Sequence, residues 1–313
     1  MALDLEALAA KAKALGDAAL PAMSDSTELH IDGDYCAYYF SGNDETAFGD
    51  ARSNMVRTLG TVRRIAGAGG RCVIQLTAGG CDKGKRYQIA TVKPYQGQRD
   101  SSRRPKNWQA MREWLEAGVQ GGIADFKVKL WEDREADDGV AAAARYAIAE
   151  GRTPAIFMRD KDSRMVPGRH VSWTTLGITE VKPETWAVED EEGNVYGQKW
   201  FWLQLLMGDS ADNIPGLPGQ PAKEAGKFKT IGASGAAEWL AKTTDAMSAW
   251  LVVRDLYQRY YAQAWAPAFA EQAALLWLRT DVTASVSDFM RAIPAKSPEL
   301  EQAVRQLERR VSQ

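Results

Sequence analysis

Short apolar runs that end in an acid or in glycines recur along the first 195 residues, and each is short enough to be a buried strand. The runs are ELHIDGDYCAYYF, RCVIQLTAGG, ADFKVKLWE and TPAIFMRD, which start at residues 28, 71, 124 and 153. Between them lie two helical patterns, over residues 48–65 and over an alanine-rich stretch at residues 135–151. Because strands and helices alternate, the pattern predicts an α/β fold with a mostly parallel central sheet and helices on both faces.

The pattern changes near residue 197. Just before it, HVSWTTLG and the pair ETWAVED and VYGQ predict a strand and a hairpin. After it, the segments QKWFWLQLLMG, AAEWLAKT, AMSAWLVVRDLYQRYYAQAW and AFAEQAALLWLRT are helix-like, with little strand signal between them. We therefore expect a short helical extension over residues 1–27, an α/β core over residues 28–196 and a helical domain over residues 197–313.

Composition excludes several classes of protein. Hydrophobic residues make up 45% of the chain and charged residues 26%, which is typical of globular domains. No apolar run is long enough for a membrane span, and the acidic N-terminus does not resemble a signal peptide, so we expect a cytoplasmic protein. Three cysteines without CxxC spacing and two histidines make a zinc centre or a disulfide framework improbable.

Charge is unevenly distributed along a chain whose formal net charge is only −2. Residues 80–123, which we call the basic arch, lack clear periodicity, and from Lys83 to Lys106 they carry eight Lys or Arg residues against one acid, Asp100. One interpretation is a solvated loop. The other is a surface that contacts the phosphates of a nucleic acid.

Acids collect where the predicted strands end. These acids are Asp32, Asp34, Asp82, Glu135, Asp137, Asp138, Asp160 and Asp162, and the pair Asp209 and Asp212 follows the leucine-rich helix after residue 198. Any one of them is an ordinary cap or turn residue. The carboxyl ends of parallel strands share one edge of a sheet, however, so most of these acids should lie close together.

Clustered carboxylates repel one another unless a cation neutralises them. A site rich in carboxylates and poor in His and Cys suits Mg²⁺ or Mn²⁺. Two such ions about 4 Å apart are a common arrangement for phosphodiester hydrolysis. The residues thus predict a divalent-metal site next to a basic surface.

Six motifs in this order, IDGD, CDKGKRY, PYQGQRD, EADD, DKD and GDSADNIPGLPG, resemble the 5′-nuclease superfamily over residues 29–240. The superfamily includes bacteriophage 5′–3′ exonucleases, flap endonucleases and the 5′-nuclease domain of bacterial DNA polymerase. The resemblance implies a PIN-like core and a helical domain with a helix–three-turn–helix DNA-binding hairpin over residues 208–242. It also implies two Mg²⁺ or Mn²⁺ ions, and K⁺ in the hairpin.

The resemblance also assigns roles to individual residues. The implied metal ligands are Asp32, Asp82, Glu135, Asp137, Asp138, Asp160, Asp162, Asp209 and Asp212, whereas Asp34 has no counterpart and is interpreted as a turn residue. The implied reactive-site cations are Lys83, Lys85, Arg86 and Arg99. The expected DNA contacts are Lys93, Gln96, Arg103, Arg104, Gly216, Gly219, Lys223, Lys227, Lys229, Gly232 and Ser234.

Two features depart from the family pattern. Gln96 stands where the family has the lysine that contacts the scissile phosphate, and GQPAKEAGKFKT interrupts the DNA-binding hairpin. The function implied is a 5′–3′ exonuclease or 5′-flap endonuclease that leaves 5′-phosphate products, acting as a monomer on DNA ends or flaps. Two alternatives stay open: a ribonuclease acting on RNA or on RNA–DNA hybrids, and a catalytically silent protein that binds DNA structures.

Overall fold

The protein is described by a computed structural model that covers residues 20–97, 104–222 and 227–313. The expected helix of the N-terminal extension falls mostly on residues 1–19, outside the described residues. The strands are β1 Thr27–Asp32, β2 Cys72–Thr77, β3 Lys127–Trp131, β4 Thr153–Phe157, β5 Gly168–Val171, β6 Ile178–Val181, β7 Val188–Glu189, β8 Val195–Tyr196, β9 Gln220–Pro221 and β10 Phe228–Lys229. The α-helices are α1 Gly33–Phe40, α2 Phe48–Ala66, α3 Arg86–Ile89, α4 Trp108–Gly121, α5 Ala136–Ala149, α6 Lys199–Met207, α7 Ala233–Trp239, α8 Ala246–Tyr261, α9 Trp265–Leu276 and α10 Pro298–Val311.

Six strands form the central sheet in the order β3-β2-β1-β4-β5-β6. The first five run parallel, and β6 pairs antiparallel with β5 at one edge. Every residue of β1 and β2 is buried, as expected for central strands covered by helices on both faces. The expected fold class, a mostly parallel sheet with helices and a helical C-terminal region, is confirmed.

The first strand is shorter than its apolar run suggests. β1 ends at Asp32, and residues Gly33–Phe40 form helix α1 instead of continuing as strand and turn. The Asp32 carboxylate accepts a hydrogen bond from the backbone N–H of Tyr35 at 3.1 Å and so caps the helix. Gly33 fits because a Cβ there would lie 2.5 Å from the Gln75 carbonyl oxygen of β2. A capping acid followed by glycine therefore overrides the strand preference of the aromatic residues.

A second core lies within the helical region. Its largest buried side chains include Trp202 of α6, Trp250 of α8 and Phe269 of α9. Ile89 and Tyr95 of the basic arch belong to this same core, so the first half of the arch is packed against the helical region. Among the described residues, no helix is long and apolar enough to cross a membrane.

Candidate active site

Carboxylates from four segments meet at the carboxyl edge of the sheet. Asp32 ends β1, and Asp160 follows β4, where its side chain accepts a hydrogen bond from the Asp162 N–H at 3.0 Å. Helix α5 begins after Glu135 and has Asp137 in its first turn. The turn after α6 supplies two more acids from the helical region. The sheet edge and the helical region thus build one acidic pocket together.

Asp160, Asp162 and Asp209 form the tightest group, with ligand atoms within 4.8 Å of one another. Burial, followed by the nearby carboxylates of Asp160 and Asp209, raises the pKa of Asp162 well above its ordinary value. Lys161, between the two acids of the DKD motif, places its ammonium 2.5 Å from Asp209 Oδ1. Asp209 Oδ2 is buried and has no hydrogen-bond partner among the described residues. A buried, unpartnered carboxylate oxygen in an all-carboxylate group fits a divalent cation.

A second group of acids adjoins the first through Asp160. Burial, then the charges of Asp34 and Asp160, raises the pKa of Asp32 to about 8. Burial, then Asp32 and Asp160, raises the pKa of Asp137 well above its ordinary value. These carboxyls resist ionising together unless a positive charge enters the pocket. The electrostatics therefore support the expected metal-binding role of this edge.

Glu135 and Asp212 are linked by two residues of the arch. The Tyr95 hydroxyl donates to Glu135 Oε2 at 2.7 Å and lies 3.1 Å from Asp212 Oδ2. The Gln96 amide donates to Glu135 Oε1 at 3.2 Å and to Asp212 Oδ1 at 3.0 Å. Burial, then Glu135 and Asp212, raises the pKa of Tyr95 well above its ordinary value, so its hydroxyl stays protonated. Tyr95 therefore packs inside the protein and offers no stacking face for a DNA base.

Asp138, expected to bind metal, forms an ion pair with Arg86 in the structure. Its side chain is 0% exposed, and Arg86 donates to both of its oxygens at 2.7 and 2.8 Å. The backbone N–H of Arg279 adds a third hydrogen bond at 2.9 Å. Burial alone would raise the pKa of Asp138, but the Arg86 guanidinium holds it below its ordinary value. Both oxygens are thus engaged by donors, and the geometry favours an internal ion pair over metal ligation.

Arg86, expected as a reactive-site cation, is the other partner of this ion pair. The guanidinium is 2% exposed and also donates to the backbone carbonyls of Leu275 and Trp277 in the helical region. An arginine enclosed in this way fixes the arch to the helical region and does not face a substrate. Sequence spacing offers no signal for this pairing, because the partners come from three distant segments.

Asp34 and Asp82 also sit differently from expectation. Asp34, interpreted as a turn residue, lies among the acids and forms an ion pair with Arg112 of α4. It also accepts a hydrogen bond from the Thr77 N–H at 3.1 Å. Asp82, expected to bind metal, is partly exposed at the pocket edge and pairs with Lys85 at 3.0 Å. Arg112 is a site residue that the sequence pattern did not identify, because its partner Asp34 lies 78 residues away along the chain.

The remaining basic residues are distributed along the arch. Lys83 lies beside Glu135, with its ammonium 3.2 Å from Oε1. Lys93 is exposed, and Arg104 stacks on the Trp108 ring at 4.0 Å. Arg99 and Arg103 lie outside the described residues, so their expected roles stay predictions.

The turn after α6 is shaped by close backbone contacts. Gly208 and Gly216 have φ of 69° and 64°, and a Cβ on either would meet backbone atoms of the other side of the turn at 2.3 Å. The Gly216 N–H donates to the Gln272 side chain at 2.9 Å, and Gly219 is buried against Phe228. Gly216 and Gly219 are therefore both buried, whereas a contact with DNA would require them at the surface.

The insertion that interrupts the expected DNA-binding hairpin folds back as two short antiparallel strands, β9 and β10. Its residues Lys227 and Lys229 are exposed, as are Gly232 and Ser234 at the start of α7. Lys223 lies outside the described residues. The exposed residues of this group share one surface region, which is compatible with the expected phosphate contacts.

Comparison with known proteins shows which proteins the chain and its fold are similar to. No family model matches the chain. A 152-residue part, 47% of the chain, is 32% identical to DNA polymerase I of Bacillus subtilis strain 168, and the match covers only 17% of that polymerase. The fold is similar to T5 5′-exonuclease with bound divalent zinc, with a TM-score of 0.55 and 16% identity over 91% of this chain and 99% of the other.

A second solved structure gives the same result. It is the bacteriophage T5 D15 flap endonuclease in a pseudo-enzyme–product complex with DNA and metal ions, with a TM-score of 0.53 and 14% identity over 92% of this chain and 100% of the other. The chain has the same fold as T5 5′-exonuclease. The resemblance to the 5′-nuclease superfamily expected from the motifs is thereby confirmed. In this 5′-nuclease fold, the acidic pocket lies where sheet and helical region meet.

Proposed function

We propose that the chain is a divalent-metal-dependent 5′ nuclease that hydrolyses phosphodiester bonds of DNA. The observation that carries this proposal is the group of Asp160, Asp162 and Asp209, with its buried and unpartnered Asp209 oxygen, inside a 5′-nuclease fold. A carboxylate oxygen left in this way has lost its hydration without gaining a donor, and a hard cation restores that interaction.

The proposal includes two ions. Asp160, Asp162 and Asp209 would hold one ion, and Asp32, Asp137 and Asp160 the other, so that Asp160 belongs to both. When bound, such ions supply Lewis-acid activation of the phosphodiester and of water. The protein's own contribution is to orient these acids: Asp32 and Asp160 are held by the backbone N–H groups that they cap, and Lys161 holds Asp209.

DNA with 5′ ends or 5′ flaps is the substrate that the comparisons favour. The T5 flap endonuclease was solved with DNA, and T5 5′-exonuclease carries its activity in its name. Exposed basic residues of the arch and of the β9–β10 hairpin would supply the cationic contacts that a polyanion requires. Products with a 5′ phosphate, action as a monomer and a K⁺ ion in the hairpin belong to the same proposal.

Cleavage assays test the proposal directly. The substrates are 5′-labelled flap, nicked and blunt DNA duplexes, with matched RNA and RNA–DNA hybrids. We expect cleavage of the DNA substrates with Mg²⁺ or Mn²⁺ and none with excess chelator. Full activity in chelator would contradict the metal-dependent mechanism, and preferential cleavage of RNA or hybrids would support the ribonuclease alternative.

A matched pair of variants separates catalysis from folding. Asp160→Asn removes a charge shared by both acid groups, so turnover should fall by about 100-fold or more while DNA binding is kept or strengthened, because repulsion of phosphate is relieved. Glu189→Gln, an exposed acid on β7, should behave as the wild type. A wild-type protein that binds flap DNA with Mg²⁺ but never cleaves it would instead support the catalytically silent alternative.

A further inference from the structure

Gln96 is held rigidly inside the pocket. It is 7% exposed, its backbone has a left-handed φ of 55°, and its N–H donates to the Asp212 carbonyl at 3.0 Å. A non-glycine residue adopts this conformation at a cost and keeps it only where the surroundings determine it. The position of the Gln96 side chain is therefore fixed by the fold.

The Gln96 amide points its two ends at different partners. Its nitrogen donates to Glu135 and Asp212, so its oxygen must face the other way. That oxygen accepts a hydrogen bond from the Lys83 ammonium. The ammonium also lies 3.2 Å from Glu135 Oε1. Gln96 thus connects Lys83 to one acid from each half of the pocket.

The backbone around Lys83 is fixed as well. Lys83, Gly84 and Lys85 all have left-handed φ values, of 52°, 65° and 69°. The Lys83 N–H donates to Cys81 Sγ at 3.2 Å, and Gly84 lies against the Arg279 guanidinium, which leaves no space for a Cβ. This turn aims the Lys83 side chain at the acids and holds it there.

The neighbouring cations of the motif are engaged elsewhere. Lys85 is 47% exposed and pairs with Asp82 at the pocket edge, and Arg86 is 2% exposed in its pair with Asp138. Lys83 is 21% exposed. An ammonium has three hydrogens, and within the described part of the chain two face Gln96 and Glu135, which leaves one for an incoming anion.

We propose that Lys83 is the cation that contacts the scissile phosphate, and that Gln96 is its positioning residue. This inference rests on the proposed function. In the hydrolysis, a bond forms between the water oxygen and phosphorus as that water loses a proton, the P–O3′ bond breaks, and the leaving O3′ takes up a proton, so that the products carry a 5′ phosphate and a 3′ hydroxyl. The ammonium stabilises charge on the non-bridging oxygens as that exchange proceeds.

Single-turnover cleavage of a 5′-flap DNA tests the role of Lys83. Lys83→Ala should lower the rate about 100-fold, the size of effect seen when one preorganised donor is lost, while the Kd for DNA changes less than about threefold. Lys127→Ala, which removes an exposed lysine at the start of β3, is the control and should cleave at close to the wild-type rate. A Lys83→Ala variant that cuts at the wild-type rate would overturn the proposal. A wild type without metal-dependent cleavage would instead refute the proposed function itself.

Two double variants test the link between the residues. Gln96→Lys in the Lys83→Ala background places an ammonium next to the vacated position and should recover at least tenfold in rate. Gln96→Met should lower the rate about tenfold in the wild type but add no further loss to Lys83→Ala, because Gln96 acts through Lys83. Additive losses would show that Gln96 has only a structural role, and thermal melting checks that all variants fold.

Discussion

At the scale of single residues, several acids of the pocket have raised pKa values, so they keep a proton at pH values where ordinary carboxylates are ionised. Burial and neighbouring acids raise the pKa of Asp32 to about 8, above its ordinary value of 3.8. The folded protein therefore binds a proton that the unfolded chain releases, so this contribution to stability is present at low pH and lost as pH rises toward 8. We predict that the melting temperature in chelator falls between pH 6 and pH 8, and that excess Mg²⁺ reduces this fall.

The pH dependence has a matched control. Asp32→Asn removes the titrating group, so its melting temperature in chelator should change less between pH 6 and pH 8 than that of the wild type. Asp50→Asn replaces an exposed acid in the first turn of α2 and should keep the wild-type slope. His170 acts in the opposite direction: burial lowers its pKa from 6.5 to about 4, so the unfolded chain binds the proton near pH 6 and this contribution to stability rises with pH, equally in all three proteins. Equal slopes in all three proteins would contradict the assignment to Asp32.

The sequence predicts which acids lie together at the carboxyl edge of the sheet, but not which atoms each carboxylate contacts. Asp32 and Asp160 end parallel strands, and that position alone brings them to one edge. Asp138 stands one residue after Asp137, yet the turn of α5 directs it toward Arg86 and away from the pocket. The direction of a side chain on a helix depends on where the helix packs, and the backbone of Arg279 supplies part of that packing from far along the chain.

At the scale of elements, most strands and helices follow from periodicity, and the differences occur where local chemistry competes with it. Helix α1 replaces a predicted turn because Asp32 caps it. The arch, which lacks clear periodicity, nevertheless contains α3 and all of α4. Met111 and Leu115 of α4 are buried in the core of the sheet, so this part of the arch is packed against the sheet and is not a solvated loop.

The β9–β10 hairpin gives a prediction at this scale. If its exposed Lys227 and Lys229 contact phosphates, log affinity for DNA should fall with log salt by about 0.9 per phosphate neutralised. Replacing both lysines with alanine should make that slope shallower by about one to two units. Equilibrium binding over a salt series on a flap duplex measures the change.

A second lysine pair serves as the control for the hairpin. Lys127 begins β3, and Lys182 follows the antiparallel β6, so both exposed residues lie at the amino edge of the sheet, opposite the acids. Their double alanine variant should keep the wild-type slope. If the hairpin variant also keeps it, the insertion does not belong to the DNA-binding surface.

At the scale of the whole molecule, the C-terminal helices hold the arch over the pocket. Glu271 of α9 is 7% exposed and accepts hydrogen bonds from the backbone N–H groups of Thr91 and Val92 at 2.8 and 3.2 Å. Arg310 of α10 donates to the Ile89 carbonyl at 2.6 Å. These contacts join positions about 180 and 221 residues apart, and no local pattern predicts them. They place the segment that carries Tyr95 and Gln96.

Loss of the Glu271 carboxylate should therefore affect the pocket from a distance. Glu271→Ala leaves the part-buried N–H groups of Thr91 and Val92 without this acceptor, which costs at most about 1–3 kcal/mol of stability. We predict faster hydrogen exchange in residues 86–97 and a lower single-turnover rate, although every acid of the pocket is retained. Glu301→Ala, on the exposed face of α10, is the control and should change neither measurement. If Glu271→Ala lowers the melting temperature while exchange in residues 86–97 stays at the wild-type rate, the arch is held by its apolar contacts alone, through Ile89 and Tyr95 in the helical core.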